Sequence, residues 1–316
     1  MNKPLIAVAV CALVGSALGA QTTLHVAPGA TGPGTSWAEA AGLHDALSRA
    51  APGDELWLRA GTYLTSEDGD RAAAFRVPPG VKVHGGFAGT ERSLAARDYR
   101  ANATVLSGAI GARERSDNAY TVVLLEGADA ETHLTGVTLS GAFANGAGPV
   151  ADPKRAGGGV LLRLAAPGAT SNPTFDHVTF EGNYARDGGA VYVDARSGTA
   201  RPRFVGCTFR QNEADLDGGA VYNDGRRRGD ASPTFVGCRF ESNVANYGGA
   251  VFNQATQGKS CPRLSECAFA SNHAYVRGAA IYNLDHRGEN RVALVDCVFE
   301  DEAAATADGS VARGGE

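Results

Sequence analysis

The sequence predicts an all-β chain folded as a stacked parallel solenoid, with coils of about 30 residues and an α-helical cap at its amino end. Three observations carry that expectation. First, a glycine-led phrase recurs at Gly188–Tyr192, Gly218–Tyr222, Gly248–Phe252 and Gly278–Tyr282, each copy beginning 30 residues after the last. Second, each copy follows another phrase that ends in asparagine: FDHVTFEGN to Asn183, FVGCTFRQN to Asn212, FVGCRFESN to Asn243 and LSECAFASN to Asn272. A fifth copy, Leu294–Glu302, ends in glutamate instead. Third, each unit is β-branched and aromatic, punctuated by Gly, Asn and Asp, with no 3.6-residue apolar period. That pattern excludes helix-pair and leucine-rich solenoids, and a propeller blade would need a longer repeat of about four strands.

Stacking turns the columns of the repeat into ladders about 4.8 Å apart. Three columns are apolar and belong in the bore: Phe175, Phe204, Phe235, Leu264, Leu294; Val178, Cys207, Cys238, Cys267, Cys297; and Phe180, Phe209, Phe240, Phe269, Phe299. The mixed column His177, Gly206, Gly237, Glu266, Asp296 is expected to face water. The column Asn183, Asn212, Asn243, Asn272 reads as an amide ladder at a turn. The paired glycines supply positive φ or close backbone approach, and Pro173, Pro202, Pro233 and Pro262 sit where strands start.

Met1–Ala20 has one early lysine, an apolar stretch and small residues before Gln21, the pattern of a secretory leader. The expected product is therefore exported, with no membrane span in the mature chain. Without Lys3, 28 basic residues face 34 acidic ones, a net charge near −6 that argues against nucleic acid as a partner. The Arg226–Arg228 run reads as a solvated loop tip. Cys11 leaves with the leader, and four of the other five cysteines share one interior column. Their stacked geometry suits a disulfide poorly, so they read as small hydrophobes.

Residues 21–316 are expected to form a single domain. Residues 21–65 make the cap and first strand, 66–170 irregular coils with long loops, 171–302 regular repeats, and 303–316 a frayed or truncated end. In the cap, Ala38–Ala50 reads as an amphipathic helix with Ser36 as N-cap and Glu39 at the capping-box offset. Placed before the first coil, it would plug the open end of the solenoid. Strands are expected at Glu55–Tyr63, Val81–His84, Thr104–Ser107, Thr121–Leu125, Leu134–Leu139 and Gly157–Leu164. Gly108–Asn118 and Gly141–Ala156 are expected to leave the solenoid as loops.

Thr35–Ala40 (TSWAEA), Leu43–Tyr63, Val81–Glu91 (VKVHGGFAGTE), Arg97–Tyr99, Ala103–Gly108 and Asp117–Tyr120 together resemble the amino-terminal half of secreted right-handed parallel β-helix proteins of the pectin-lyase-like superfamily. The GGAVYN and FxxN phrases resemble the repeats of chlamydial polymorphic outer-membrane proteins. This resemblance implies a right-handed parallel β-helix. It also implies an extracellular or outer-membrane surface location, and relatives that range from adhesins to polysaccharide lyases and hydrolases. Fold alone does not choose among these.

Three constellations could carry chemistry. Asp187 with Asp217, and Asp194 with Asp224, share columns one coil apart. Such pairs are splayed into water as ordinary turn aspartates, protonated, or bridged by a cation, for which Ca²⁺ with its oxygen shell is the natural choice. No cofactor is otherwise required. The column Tyr192, Tyr222, Phe252, Tyr282 alternates with Val191, Val221, Val251, Ile281, so one column is interior and the other outside. Outside, the aromatic column would form a stripe for stacking on a sugar chain or a protein. Inside, it would be core. A polysaccharide lyase or hydrolase would draw on Lys154 and Arg155, or on Asp215 with Asp217. The reading this supports is a monomeric, non-catalytic surface scaffold that binds a polysaccharide or a host or cell-surface protein. The alternative is a lyase or glycosidase acting on an acidic polysaccharide.

Overall fold

The computed structural model describes residues 21–111, 114–301, 303–304 and 311–314. The leader at 1–20 with Cys11, and the Asp308–Ser310 echo of the repeat, lie outside the described residues. Among the described residues every strand pairing is parallel, and strands of successive coils are neighbours in each sheet. A first sheet of nine strands runs from Thr23–Val26 to Ala293–Val295, and a second of eight from Gly61–Leu64 to Val298–Glu300. A third sheet of six strands runs from Phe143–Ala144 to Ala303–Ala304, and a fourth of eight from Phe75–Val77 to Val311–Gly314. A small three-stranded sheet (Thr170–Ser171, Thr199–Ala200, Asp230–Ala231) edges the corner between the fourth sheet and the first. The fold is a parallel β-helix, as the repeat predicts.

The expected columns are real ladders. Phe175 pairs in register with Phe204, Phe204 with Phe235, and Phe235 with Leu264. The rings of Phe180, Phe209, Phe240, Phe269 and Phe299 stack 4.6–4.8 Å apart. The two stacks meet edge-on, as between Phe204 and Phe209 at 5.6 Å, the arrangement favoured by the ring quadrupole. Cys207, Cys238 and Cys267 are fully buried free thiols. Cys207 donates to the Phe175 carbonyl and Cys238 to that of Phe204. The mixed column lies at the bend between the first two sheets, and all five residues there have φ between 50° and 61°. The left-handed bend turns the column towards solvent and accounts for its glycines.

The Asn183–Asn272 ladder is completely buried. The amide Nδ2 of Asn183, Asn212 and Asn243 donates to the Oδ1 of the next asparagine at 2.9–3.1 Å and to a carbonyl one coil back. The Oδ1 of Asn212, Asn243 and Asn272 also accepts the backbone N–H of the asparagine before it, and that of Asn183 accepts the Ala142 N–H. The two glycines of GGAVY have separate reasons. Gly188, Gly218, Gly248 and Gly278 have φ of 63–68°, whereas a Cβ on Gly219 would collide with the carbonyl oxygen of Gly249 in the next coil.

The amino-terminal segment differs in detail from the expectation. Thr23–Val26 already forms the first strand, and the cap helix follows it rather than preceding all strands. The helix is also split. Ser36 caps a short 3₁₀ turn, Trp37–Glu39, by accepting the Glu39 N–H, and the α-helix spans only Leu43–Arg49. Between them the backbone of Ala41 pairs with His25 and Ala27, which forbids continuous helix. Leu43, Ala46 and Leu47 then bury against the first turns of the bore, and His44 stacks on Phe75 of the fourth sheet at 4.6 Å. The expected single strands Glu55–Tyr63 and Leu134–Leu139 each break in two (Glu55–Arg59 and Gly61–Leu64; His133–Thr135 and Thr138–Ser140). Gly61 and Gly136, both at positive φ, turn the chain from one sheet to the next.

Candidate functional site

The strand of the GGAVY phrase sets the site. Val191, Val221, Val251 and Ile281 point into the bore, so the aromatic column faces outward. It does not form an open stripe. Tyr192, Tyr222, Phe252 and Tyr282 are only 1–6 % exposed and belong to a second apolar cluster with Leu124, Leu161, Ala151 and Ala156. The loop 141–156 supplies Ala151 and Ala156 as a cover, and Arg71 anchors it by donating to the Phe143 carbonyl and to Asn145 Oδ1. The expected flat platform for sugar stacking is therefore corrected: the rings stack on one another instead, at 4.7 Å for Tyr192 on Tyr222.

The acids at this corner fall into two sets. Asp224 is fully buried. It receives Arg226 through Nε (2.8 Å) and Nη2 (2.7 Å), the Tyr192 hydroxyl at 2.6 Å, and Arg196 Nε at 3.5 Å. Arg196 in turn holds Asp194 bidentately, at 2.7 Å from both Nε and Nη2. The pair Asp194 and Asp224 does not fit a Ca²⁺ ion, because two guanidiniums already fill the carboxylate oxygens. The signal in the sequence is an Asp-x-Arg spacing repeated one coil apart, Asp194/Arg196 and Asp224/Arg226, which column reading overlooked. It also corrects the solvated reading of Arg226, whose guanidinium is locked onto Asp224. Burial, with the Asp224 charge adding to it, pushes the Tyr192 phenol well above the usual tyrosine range, so it remains a donor.

Asp187 and Asp217 pair in register in the third sheet, at a bulge that gives the strand Glu213–Asp217 an extra residue. Arg155 Nη2 meets Asp187 Oδ2 at 3.1 Å. Asp217 has the charge of Asp187 beside it, and burial first, that charge second, push its carboxyl up to about 7 despite Arg226 and Arg186. Only two carboxylates converge here and one is already paired. Among the described residues no group of three His, Cys, Asp or Glu side chains converges as a metal site. Lys154 is exposed on the covering loop, while Arg155 is the residue that reaches the aspartates. Asp215 is exposed and hydrogen-bonded to Tyr184, whose ring stacks on Phe143 at 4.3 Å.

A pH dependence follows for Asp217. Its folded value lies above the 3.8 of the unfolded chain, so the native state holds a proton that the unfolded state releases. Its contribution is neutral below about pH 4, becomes unfavourable as pH rises through 7, and is constant above. Asp217→Asn is expected to leave stability unchanged at pH 4 and to raise it by about 1–2 kcal/mol at pH 8. Urea unfolding at the two pH values checks this, and an equal effect at both would show that Asp217 is already ionised.

With the fold and site described, comparison with known proteins places the repeat. Residues 177–194, the Asn183 turn and the first GGAVY strand, match the Chlamydia polymorphic membrane protein repeat. The chain is a parallel β-helix in which one stretch, residues 177–194, is similar to that repeat. The crystal structure of pectate lyase Pel9A superposes on the β-helix with a TM-score of 0.50 at 12 % identity, covering 91 % of this chain and 79 % of that one. At that identity the likeness is one of fold. No curated protein sequence matches the β-helix. Among its described residues no helix is long and apolar enough to cross a membrane.

Proposed function

We propose that this β-helix is an exported surface scaffold that binds polysaccharide along its outer wall without cleaving it. The observation that carries the reading is the contrast between the two faces of the same strands. Inward columns repeat almost unchanged, Phe175, Phe204, Phe235 and then Leu264. Outward columns change charge from coil to coil: Thr174, Arg203, Thr234, Arg263 in the first sheet, and Glu181, Arg210, Glu241, Ala270 in the second. The bore needs only stackable rings, so the individuality of the chain lies on a wall about 40 Å long. A long, stiff, polar face suits an extended polymer better than a compact ligand. The match to a repeat of membrane proteins supports a surface location. Of the stacked aspartates, Asp194 and Asp224 are held by arginines and Asp187 by Arg155, which leaves Asp217 and Asp215 as the acids that cleavage would have to use.

The test is a panel of acidic and neutral polysaccharides incubated with the purified mature chain, with and without Ca²⁺. Unsaturated products and new reducing ends are followed beside retention on the same immobilised polymers. Retention without cleavage is expected. Cleavage of any polymer would instead make the β-helix an enzyme and send attention to Asp217, Asp215 and Lys154.

A further inference from the structure

The loops that leave the fourth sheet build a feature unlike the rest of the wall. Their tips, Arg227–Arg228, Gln257 and Arg287, stack in three successive coils and alone line an open cleft of about 660 Å³. Backbone bonds tie them together, Arg228 N–H to the Gln257 carbonyl at 2.7 Å and Gln257 N–H to the His286 carbonyl at 2.9 Å. All four tip residues have φ between 55° and 64°, the conformation in which glycine costs least, yet long polar side chains stand there. The neighbouring charges are already matched: Arg226 with Asp224 at 2.7 Å, Arg201 with Asp230 at 2.6 Å, Lys259 with Glu289 at 3.4 Å. Asp285 stands two residues before Arg287 in the sequence and outside the lining. Three arginines thus line a cleft without a carboxylate among its lining residues, an arrangement that an anion would stabilise.

We infer that this cleft binds an acidic polysaccharide through its carboxylate or sulfate groups. The inference rests on the proposed glycan-binding role and names the ligand class and the place. Arginine forks match carboxylate and sulfate oxygens in pairs. Arg228 and Arg287 are two coils apart, about 10 Å along the axis, a separation suited to acidic groups on alternate sugars of an extended chain. Gln257 lies between them with a donor and an acceptor for sugar hydroxyls. The cleft has no apolar lining for lipid.

Glycine is at ease in these tip conformations, so Arg227→Gly with Arg287→Gly removes two charges without disturbing the loops. Arg92→Gln with Arg100→Gln removes the same charge from an exposed segment outside the outward columns of the wall. The mature protein and both variants are measured on polygalacturonate, dextran sulfate, neutral dextran and phosphatidylglycerol vesicles. Wild type is expected to bind one or both acidic polymers, and the polymer retained tells carboxylate from sulfate recognition. The tip variant is expected to lose about tenfold or more in affinity, while the Arg92/Arg100 variant stays near wild type. Equal binding by both variants would overturn the cleft and leave glycan binding intact. Wild-type binding to neutral dextran alone would overturn the cleft in the same way. Failure of wild type on every polymer would overturn both readings. Tip-dependent binding to vesicles with none to the polymers would replace the sugar chain with a lipid surface.

Discussion

Asn243→Ala is expected to destabilise the β-helix by about 2–4 kcal/mol although it removes only a small polar side chain. The Asn243 amide lies in the middle of the ladder and is fully buried. It donates to the Phe209 carbonyl and to Asn272 Oδ1, both at 2.9 Å, and accepts from Asn212 N at 3.1 Å and Asn212 Nδ2 at 3.0 Å. Alanine strands the Asn212 backbone N–H and the Phe209 carbonyl without access to water, and each such group costs about 1–3 kcal/mol. Asn243→Asp keeps the shape but replaces the donor with a carboxylate oxygen facing two acceptors, and is expected to be no better than alanine. Urea unfolding gives the comparison. A cost under about 0.5 kcal/mol for alanine would mean that water replaces the ladder.

The second large effect is expected at Asp224. Its carboxylate has no exposed surface and carries the charge that balances Arg226 and, at longer range, Arg196. Asp224→Asn leaves buried guanidinium charge unpaired, with an expected cost of about 3–5 kcal/mol. Asp194→Asn is expected to cost less, because that carboxylate is partly exposed. Replacing Asp224 and Arg226 together by leucine and methionine is expected to recover much of the loss, since removing both charges also removes the desolvation penalty. Arg196 also donates to the Val150 carbonyl of the loop 141–156. Asp224→Asn is therefore expected to speed proteolytic cutting within that loop, exposing the aromatic column it covers. Unchanged cutting would show that the loop is held by Arg71 and Arg155 alone.

Both predictions concern groups that column reading treated differently. The asparagine ladder was legible because a single residue type recurs at a single place in the coil, and stacking makes recurrence equivalent to contact. The same logic found the phenylalanine stacks and the cysteine column. It also found that the aromatic column lies opposite Val191, Val221, Val251 and Ile281, but not that Ala151 and Ala156 would cover it. The loop 141–156 occurs once, so no periodicity announces where it folds back. A second buried amide ladder, Asn223, Asn253 and Asn283 joined by Nδ2–Oδ1 hydrogen bonds of 2.8 Å, is less legible because the first full repeat has Val193 at that position.

What the sequence determined by itself was the architecture: a parallel β-helix, its bore, its bends and its amide ladder. A 30-residue period leaves each side chain beside its own copy about 4.8 Å away, so local pattern and long-range contact are the same information. What only the tertiary structure decided was everything that the period does not encode. The pairing of Arg226 and Arg196 with Asp224, the union of Arg155 with Asp187 and the rise of Asp217 to about 7 all depend on side chains of different columns meeting at a corner. Those meetings depend on loop lengths and dihedral angles at the turns, which vary from coil to coil, and there the physical chemistry of charge and burial rather than repetition sets the outcome.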